Sequence, residues 1–393
     1  MKPIASRITL SSGKGAFDIW EKAVALEAQG LDVIHLEIGE PDFGTPTHII
    51  DEAERAMRAG RTTYTSTAGT PSLRDSVAEY LSSTRQIDVN PANILAGPGV
   101  KGVMYAAMMS LIEAGDEMLV PDPGYPLYQS MTSLAGGVNI PYPLTGSNHF
   151  LPDPELLESL ITPKTKVLML NSPGNPTGTI QSKALLKKIA AIVEKHDLWV
   201  LSDEIYAQIY LRNCFPNSIA TEPGMLARTV IMDGCSKAYG MTGWRIGFGL
   251  FPEPLVKPAK QIMVHTHSCL PPFVMDAAEV AFNGPQDGVK VLRDTFRSRA
   301  DQFYARIEQI NHLSAIKPDG AFYMMVDTSA FFEGDDRQFA DRLLDEQGVA
   351  VLPGSGMGGE GRGFVRIALT QPMERLDLAL GRIKTLVDQI EAA

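Results

Sequence analysis

The chain is short of the features that mark a secreted scaffold, a membrane protein or a nucleic-acid binder. Its 393 residues include three cysteines, Cys214, Cys235 and Cys269. So few and so scattered, they exclude a disulfide framework and a zinc cluster and fit a reducing cytoplasm; no metal site is expected. Long apolar runs are missing as well. The longest uncharged, mostly apolar stretch, Gly102 to Ile112, spans eleven residues, enough for a buried helix but well short of the roughly 20 that cross a bilayer. The opening Met1 to Leu10 is too polar for a signal peptide. Positive charge is in deficit: 35 Lys and Arg against 46 Asp and Glu leave a formal net charge of −11. Nucleic-acid affinity is largely cationic neutralisation of phosphates, so no such partner is expected. No GxxxxGK[ST] loop, internal repeat or low-complexity tract occurs, which removes support for a P-loop nucleotide-binding reading.

What remains is an ordinary core-forming composition, 44% hydrophobic and 21% charged, on a chain long enough for two or three domains or one large α/β domain with a smaller companion. The runs Asp116 to Val120, Thr165 to Leu170, Leu198 to Leu201 and Thr229 to Met232 read as buried strands. Helical spacing in Lys183 to His196, with Leu185, Leu186, Ile189, Ile192 and Val193 on one face, separates two of them. Buried strands alternating with helices predict a mainly parallel sheet covered on both sides. The punctuation changes around Asn283 to Gly288. A charged helical run from Val289 to Ile310 follows, then strand-like Ala321 to Val326 and Phe364 to Leu369. The reading is α/β: a large domain over 46–283 and a smaller α/β domain built from both termini, 1–45 and 284–393.

Ligands of open α/β sheets gather beyond the carboxyl ends of the strands. Four informative segments sit at such ends: Gly97 to Gly102, Asn171 to Gly178, Ser202 to Tyr206, and Asp233 to Arg245. The first resembles an anion cradle, glycines ahead of a helix N-terminus. Taken singly, the polar residues in these segments all have structural uses: Asp203 as an N-cap, Asn175 as a turn residue, Tyr206 as a core aromatic, Arg245 in a surface ion pair.

Together they resemble something specific. Asn175-Pro176-Thr177-Gly178, Asp203-Glu204-Ile205-Tyr206, Ser236-Lys237, Met241-Thr242-Gly243-Trp244-Arg245-Ile246-Gly247 and Phe364-Val365-Arg366-Ile367 follow in the order seen in class I/II aminotransferases, pyridoxal 5'-phosphate (PLP) enzymes of the aspartate-aminotransferase fold. Gly39 to Phe43 and Tyr64 to Leu73 also fit, so the likeness spans nearly the whole chain. The resemblance implies that the large domain binds PLP. Lys237 would carry it covalently, an amine being the right nucleophile for an aldehyde, and would then move the Cα proton. Asp203 would pair with the pyridine nitrogen and keep it protonated. Tyr206 and Asn175 would hydrogen-bond the phenolic oxygen, and Tyr125 would stack on the ring. Arg245, Ser236 and the amides of Gly99, Val100 and Lys101 would hold the phosphate, the Lys101 side chain being left unassigned. Tyr64 would reach the phosphate of the neighbouring subunit, implying a homodimer with shared sites. Arg366 would grip the substrate carboxylate bidentately, as lysine cannot, with Asn175 beside it and the Gly39 backbone closing the site. Gly234 departs from relatives that carry a phosphate-binding serine there.

The implied reaction is ping-pong transfer of an amino group from an L-amino acid to a 2-oxo acid. A C–S β-lyase, decarboxylase or synthase of the same fold would share the ring-binding set. A non-enzymatic regulator is disfavoured because the likeness begins within the first few dozen residues. No second cation for a distal carboxylate stands out, and Met104, Tyr105, Met108 and Met109 make the helix after the cradle apolar. The expected donor is therefore neutral or hydrophobic, with glutamate and 2-oxoglutarate as the shared pair.

Overall fold

A computed structural model describes residue 5 and residues 16–392. Apart from residue 5, the polar opening Met1 to Leu10 and the first third of the 1–45 segment lie outside the described residues. In chain order the strands are β1 (Ile34–His35), β2 (Ile94–Gly97), β3 (Glu117–Asp122), β4 (Val138–Pro143), β5 (Thr165–Asn171), β6 (Trp199–Asp203), β7 (Thr229–Gly234), β8 (Gly247–Leu250), β9 (Ser314–Ile316), β10 (Tyr323–Asp327), β11 (Val349–Ala350), β12 (Leu352–Pro353) and β13 (Phe364–Ala368).

Seven of them form the central sheet, ordered β2-β8-β7-β6-β5-β3-β4. The β3–β7 pairings are parallel, whereas β8 runs antiparallel to both β7 and β2. The mainly parallel sheet read from the sequence is thus present with one reversed strand. Val167, Leu168, Met169 and Leu170 of β5 are all essentially inaccessible; helices on both faces are why this strand reads as a continuous apolar run rather than an alternation. The helix Lys183–Lys195 illustrates the covering layer. Its Ser182 cap accepts a hydrogen bond from the Leu185 amide (3.2 Å). Leu186, Ile189, Ala190, Ile192 and Val193 face inward, while lysines at its start stay in water.

A second core joins Ile34 and Leu36 to residues between Ala300 and Val387. Its sheet is antiparallel, ordered β12-β13-β10-β9, beside the short parallel pair β1–β11. The N-terminal segment therefore packs on the C-terminal third through β1. By Gly44 and Thr45 it has crossed to the large sheet's loops, where the Thr45 hydroxyl donates to the Gly240 carbonyl (2.7 Å). The helix Asp287–Ile307 belongs to both bodies: Val289 packs into the large core and Ala300 and Phe303 into the second. Among the described residues no helix is long and apolar enough to cross a membrane.

Candidate active site

A cavity of about 400 Å³ opens between the carboxyl ends of the large sheet and the second core. Its wall includes Gly39, Val100, Lys101, Tyr125, Asn175, Asp203, Tyr206, Ser236, Lys237, Arg245 and Arg366. Of the sequence-predicted residues only two fall outside this lining. Gly99 supports the cavity from the start of the helix Gly99–Leu111, and Tyr64 is 91% exposed elsewhere on the surface. The charged side chains lining the cavity are four cations, Lys101, Lys237, Arg245 and Arg366, and one carboxylate, Asp203. On a chain carrying −11, that inversion of sign builds a local anion trap.

Asp203 ends β6 and is 4% exposed. Its carboxylate accepts from the Tyr128 hydroxyl (2.8 Å) and from the Ile205 amide (3.2 Å). No lysine or arginine of the described residues lies within ion-pair distance of it. Burial pushes Asp203 up to about 6, the Tyr128 and Ile205 hydrogen bonds pulling down and the charges of Asp233 and Glu204 pushing up. A buried carboxylate without a cation is costly, and a protonated ring nitrogen in the cavity would relieve it. Because the folded value exceeds the unfolded one, this group stabilises the cofactor-free fold below the usual carboxylate range, and the contribution is lost as pH rises through about 6. We expect that loss to be about 3 kcal/mol. Urea unfolding of cofactor-free wild type and Asp203→Asn between about pH 4 and pH 7 measures it; a constant gap between the two would contradict the assignment.

Lys237 lies in the loop after β7 and donates to the Gly39 carbonyl (2.7 Å). Burial pushes its amine down to about 8; Glu40 opposes this, and the cations Arg366, Lys101 and Arg245 add to it. The neutral amine, the form that attacks a carbonyl, is thereby made easier to reach. Tyr206, 4% exposed, shares a hydrogen bond with the Tyr323 hydroxyl (3.0 Å). Arg366, also 4% exposed, points from β13 across the face of Tyr323. It donates to the Asn175 side-chain oxygen (2.9 Å) and to the Glu37 carbonyl, while its Nε has no partner. A buried guanidinium held only by neutral acceptors, with a donor to spare, is what a carboxylate ligand requires.

The cradle is equally direct. Gly99 has a left-handed φ of 68°, a conformation glycine adopts without penalty. A Cβ on it would lie 2.5 Å from Arg245 Nη2. Arg245 gives Nη1 to the Thr242 carbonyl (2.7 Å), so its fork is fixed beside the helix N-terminus and next to Ser236. Gly234 is sterically obligatory: a Cβ there would meet Gly247 Cα at 2.8 Å, because β7 and β8 pair at that point. The serine of some relatives is therefore excluded here, and the cradle rests on Ser236, Arg245 and the backbone amides. Lys101 turns into the cavity, its ammonium 5.8 Å from the centre of the Tyr125 ring.

Three contributors were not singled out from the sequence. Tyr128 and Tyr323 are buried aromatics at ordinary helix and strand positions, indistinguishable by pattern from core residues. Phe17, 70% exposed, reaches the cavity rim from the helix Ala16–Glu27. Tyr323 also makes Gly39 irreplaceable, since a Cβ at that position would fall 1.9 Å from its hydroxyl. Gly39→Ala must displace either the Tyr206–Tyr323 pair or the carbonyl that receives Lys237. We expect kcat/KM to fall by roughly 10²-fold with a nearly unchanged Tm; wild-type kinetics would show that the close approach has no consequence.

A lysine of depressed basicity, a buried carboxylate facing the cavity and a phosphate-sized cradle define an enzyme that holds a phosphorylated pyridine aldehyde. The comparisons make this particular. Residues 31–383 match the family model described as aminotransferase class I and II. The aspartate aminotransferase of Geobacillus stearothermophilus is 35% identical over 98% of this chain and 99% of its own. Among solved structures, the aspartate aminotransferase from Rhizobium meliloti superposes with a TM-score of 0.95 at 32% identity, covering 99% of this chain and 100% of that one. The Thermus thermophilus aspartate aminotransferase solved with maleate gives 0.93 at 32% identity, covering 98% and 100%. The chain belongs to the class I and II aminotransferases. It is a PLP-dependent transaminase acting on amino acids and oxo acids.

Proposed function

We propose that the cavity transfers amino groups from a dicarboxylic L-amino acid to a 2-oxo acid by a ping-pong sequence, with Lys237 at its centre. The observation that carries the substrate class is Lys101. Arg245 and Ser236 suffice for the phosphate and Arg366 for the α-carboxylate, which leaves one cavity-facing ammonium uncommitted. A distal carboxylate is its natural partner. The aspartate aminotransferase names of the relatives and the maleate of the Thermus structure support the same choice over a neutral donor.

PLP, when bound, supplies an electron sink for negative charge developing at the substrate Cα. The chain's own groups do the rest. Asp203 holds the proton on the ring nitrogen, backed by the Tyr128 hydroxyl. The Tyr206 hydroxyl and the Asn175 side chain would hydrogen-bond the phenolic oxygen, and Tyr125 would stack on the ring. Arg245, Ser236 and the amides of Gly99, Val100 and Lys101 would hold the phosphate. Arg366, steadied by Asn175, fixes the α-carboxylate and so aims the Cα–H bond. Lys237 Nζ, its basicity lowered by burial, receives that proton. The Gly39 carbonyl holds the amine on the cavity side.

A homodimer completes this reading. Tyr64, 91% exposed in the single chain, is available to reach the phosphate of a neighbouring copy. Three unpaired cysteines accord with a cytoplasmic location.

A donor panel tests the substrate class. With the cofactor-loaded enzyme and no oxo acid, aspartate and glutamate should each convert one equivalent per site. Leucine and phenylalanine should be slower by roughly 10²-fold, the worth of one charge-assisted contact. Equal or faster conversion of the neutral donors would return the site to the apolar reading.

A further inference from the structure

Behind the Asp203 wall lies a buried ion cluster that no step above uses. Arg85, the last residue of the helix Pro71–Arg85, has a side chain with no exposure at all. Its Nε donates to Glu204 (3.1 Å), Nη2 to Asp233 (2.6 Å) and Nη1 to the Thr84 hydroxyl (2.8 Å). The two acids are 5% and 4% exposed. The rings of Tyr80 and Phe215 each lie 5.2 Å from the guanidinium carbon. The acids are otherwise fully engaged. Glu204 accepts from the hydroxyls of Ser202 (2.9 Å) and Ser218 (2.6 Å). Asp233 accepts from the Gly234 amide (2.7 Å) and the Tyr80 hydroxyl (3.1 Å), which in turn accepts from Gln208 (3.2 Å).

The placement gives this cluster a bearing on the chemistry. Glu204 directly follows Asp203 at the end of β6, and Asp233 lies in β7 four residues before Lys237. One guanidinium therefore bridges the strand ends that carry the ring-nitrogen carboxylate and the cofactor lysine. A planar fork can span two carboxylates in this way; an ammonium cannot. Without it, two buried carboxylates would sit beside a third with no cation among them.

We propose that Arg85 is a positioning residue of the transaminase site, clamping the ends of β6 and β7 so that Asp203 and Lys237 keep their separation, and setting the net charge behind Asp203. The inference rests on the roles given above to Asp203 and Lys237. The cluster carries one positive and two negative charges. Removing one negative charge makes the potential in the cavity more positive and disfavours protonation of the lysine–cofactor linkage, whereas loosening alone has no such fixed sign.

The test uses the cofactor-loaded enzyme and reads the pH midpoint of its visible absorbance together with kcat, KM and Tm. Glu204→Gln and Asp233→Asn are near-isosteric, and each leaves Arg85 one acid partner. Each should lower the midpoint by about one pH unit. Arg85→Lys keeps the charge but not the fork, and should lower kcat by roughly tenfold with KM little changed and the midpoint near that of wild type. Midpoints in both amide variants within about 0.2 unit of wild type would overturn the electrostatic half, whether or not Arg85→Lys folds. A folded Arg85→Lys with wild-type kcat would overturn the clamp. If Lys237 does not bear the cofactor, wild type itself shows no lysine-linked absorbance, so failure of the underlying reading is distinguishable.

Discussion

Lys237→Ala should lower turnover by at least about 10⁴-fold and abolish the absorbance of lysine-bound cofactor. The loss combines two roles of one amine, covalent attachment and movement of the Cα proton, and no other group lining the cavity replaces either. Lys101 is the nearest chemical substitute, but its ammonium is directed over the Tyr125 ring. The variant should still retain the cofactor, since Asp203, Ser236, Arg245 and the helix N-terminus remain in place. Removing a buried amine whose burial depresses its basicity costs the fold little, so Tm should not fall. Turnover and ligand retention thus separate a catalytic loss from an unfolded protein. A variant that transaminates normally would remove Lys237 from the mechanism.

The second large effect is expected at Arg366. Arg366→Met should reduce kcat/KM by roughly 10³-fold, about 4 kcal/mol at the transition state. The size follows from burial: the guanidinium is 4% exposed, and its fixed partners are neutral oxygens of Asn175 and Glu37. A substrate carboxylate would therefore meet an undivided charge. Arg366→Lys should recover only a small part, because an ammonium cannot hold Asn175 and two carboxylate oxygens in one plane. Amines without a carboxylate, already poor substrates, should be nearly indifferent to the change. Equal losses on amines and amino acids would mean that Arg366 only supports the second core.

How much of this was legible in the sequence depended on how local the signal was. The strands β3, β5, β6 and β7 stood out because each is a short apolar run ending in polar residues, and those ends are where the cavity opens. Lys237, Asp203, Asn175 and Arg366 could be nominated for the same reason, as chemistry-bearing residues at strand ends or within a strand in a known order. The reversal of β8 left no such trace, since the run from Ile246 to Phe251 has the same appearance in either direction. Gly234 was visible as a departure from relatives, but its cause, Gly247 on the neighbouring strand, was not. The orientation of Lys101 depended on the Tyr125 loop, and the proposal of an acidic rather than a neutral donor rests on it. Arg85 was the least visible, because its partners lie 119 and 148 residues away in the chain. Tyr128 and Tyr323 are a subtler case: their positions were readable as helix and strand, but an aromatic hydroxyl acquires a role only from what the fold brings opposite it.

The most direct measurement is reductive trapping. Borohydride treatment of the cofactor-loaded enzyme, followed by peptide mass mapping, should place a single cofactor-derived adduct on the peptide containing Ser236-Lys237. Prior incubation with the donor that reacts fastest in the panel, which would move its amino group onto the cofactor and free the lysine, should prevent that adduct. An adduct on any other lysine, or one that persists undiminished after every donor of the panel, would contradict the assignment of Lys237 as the centre of an amino-group transfer site.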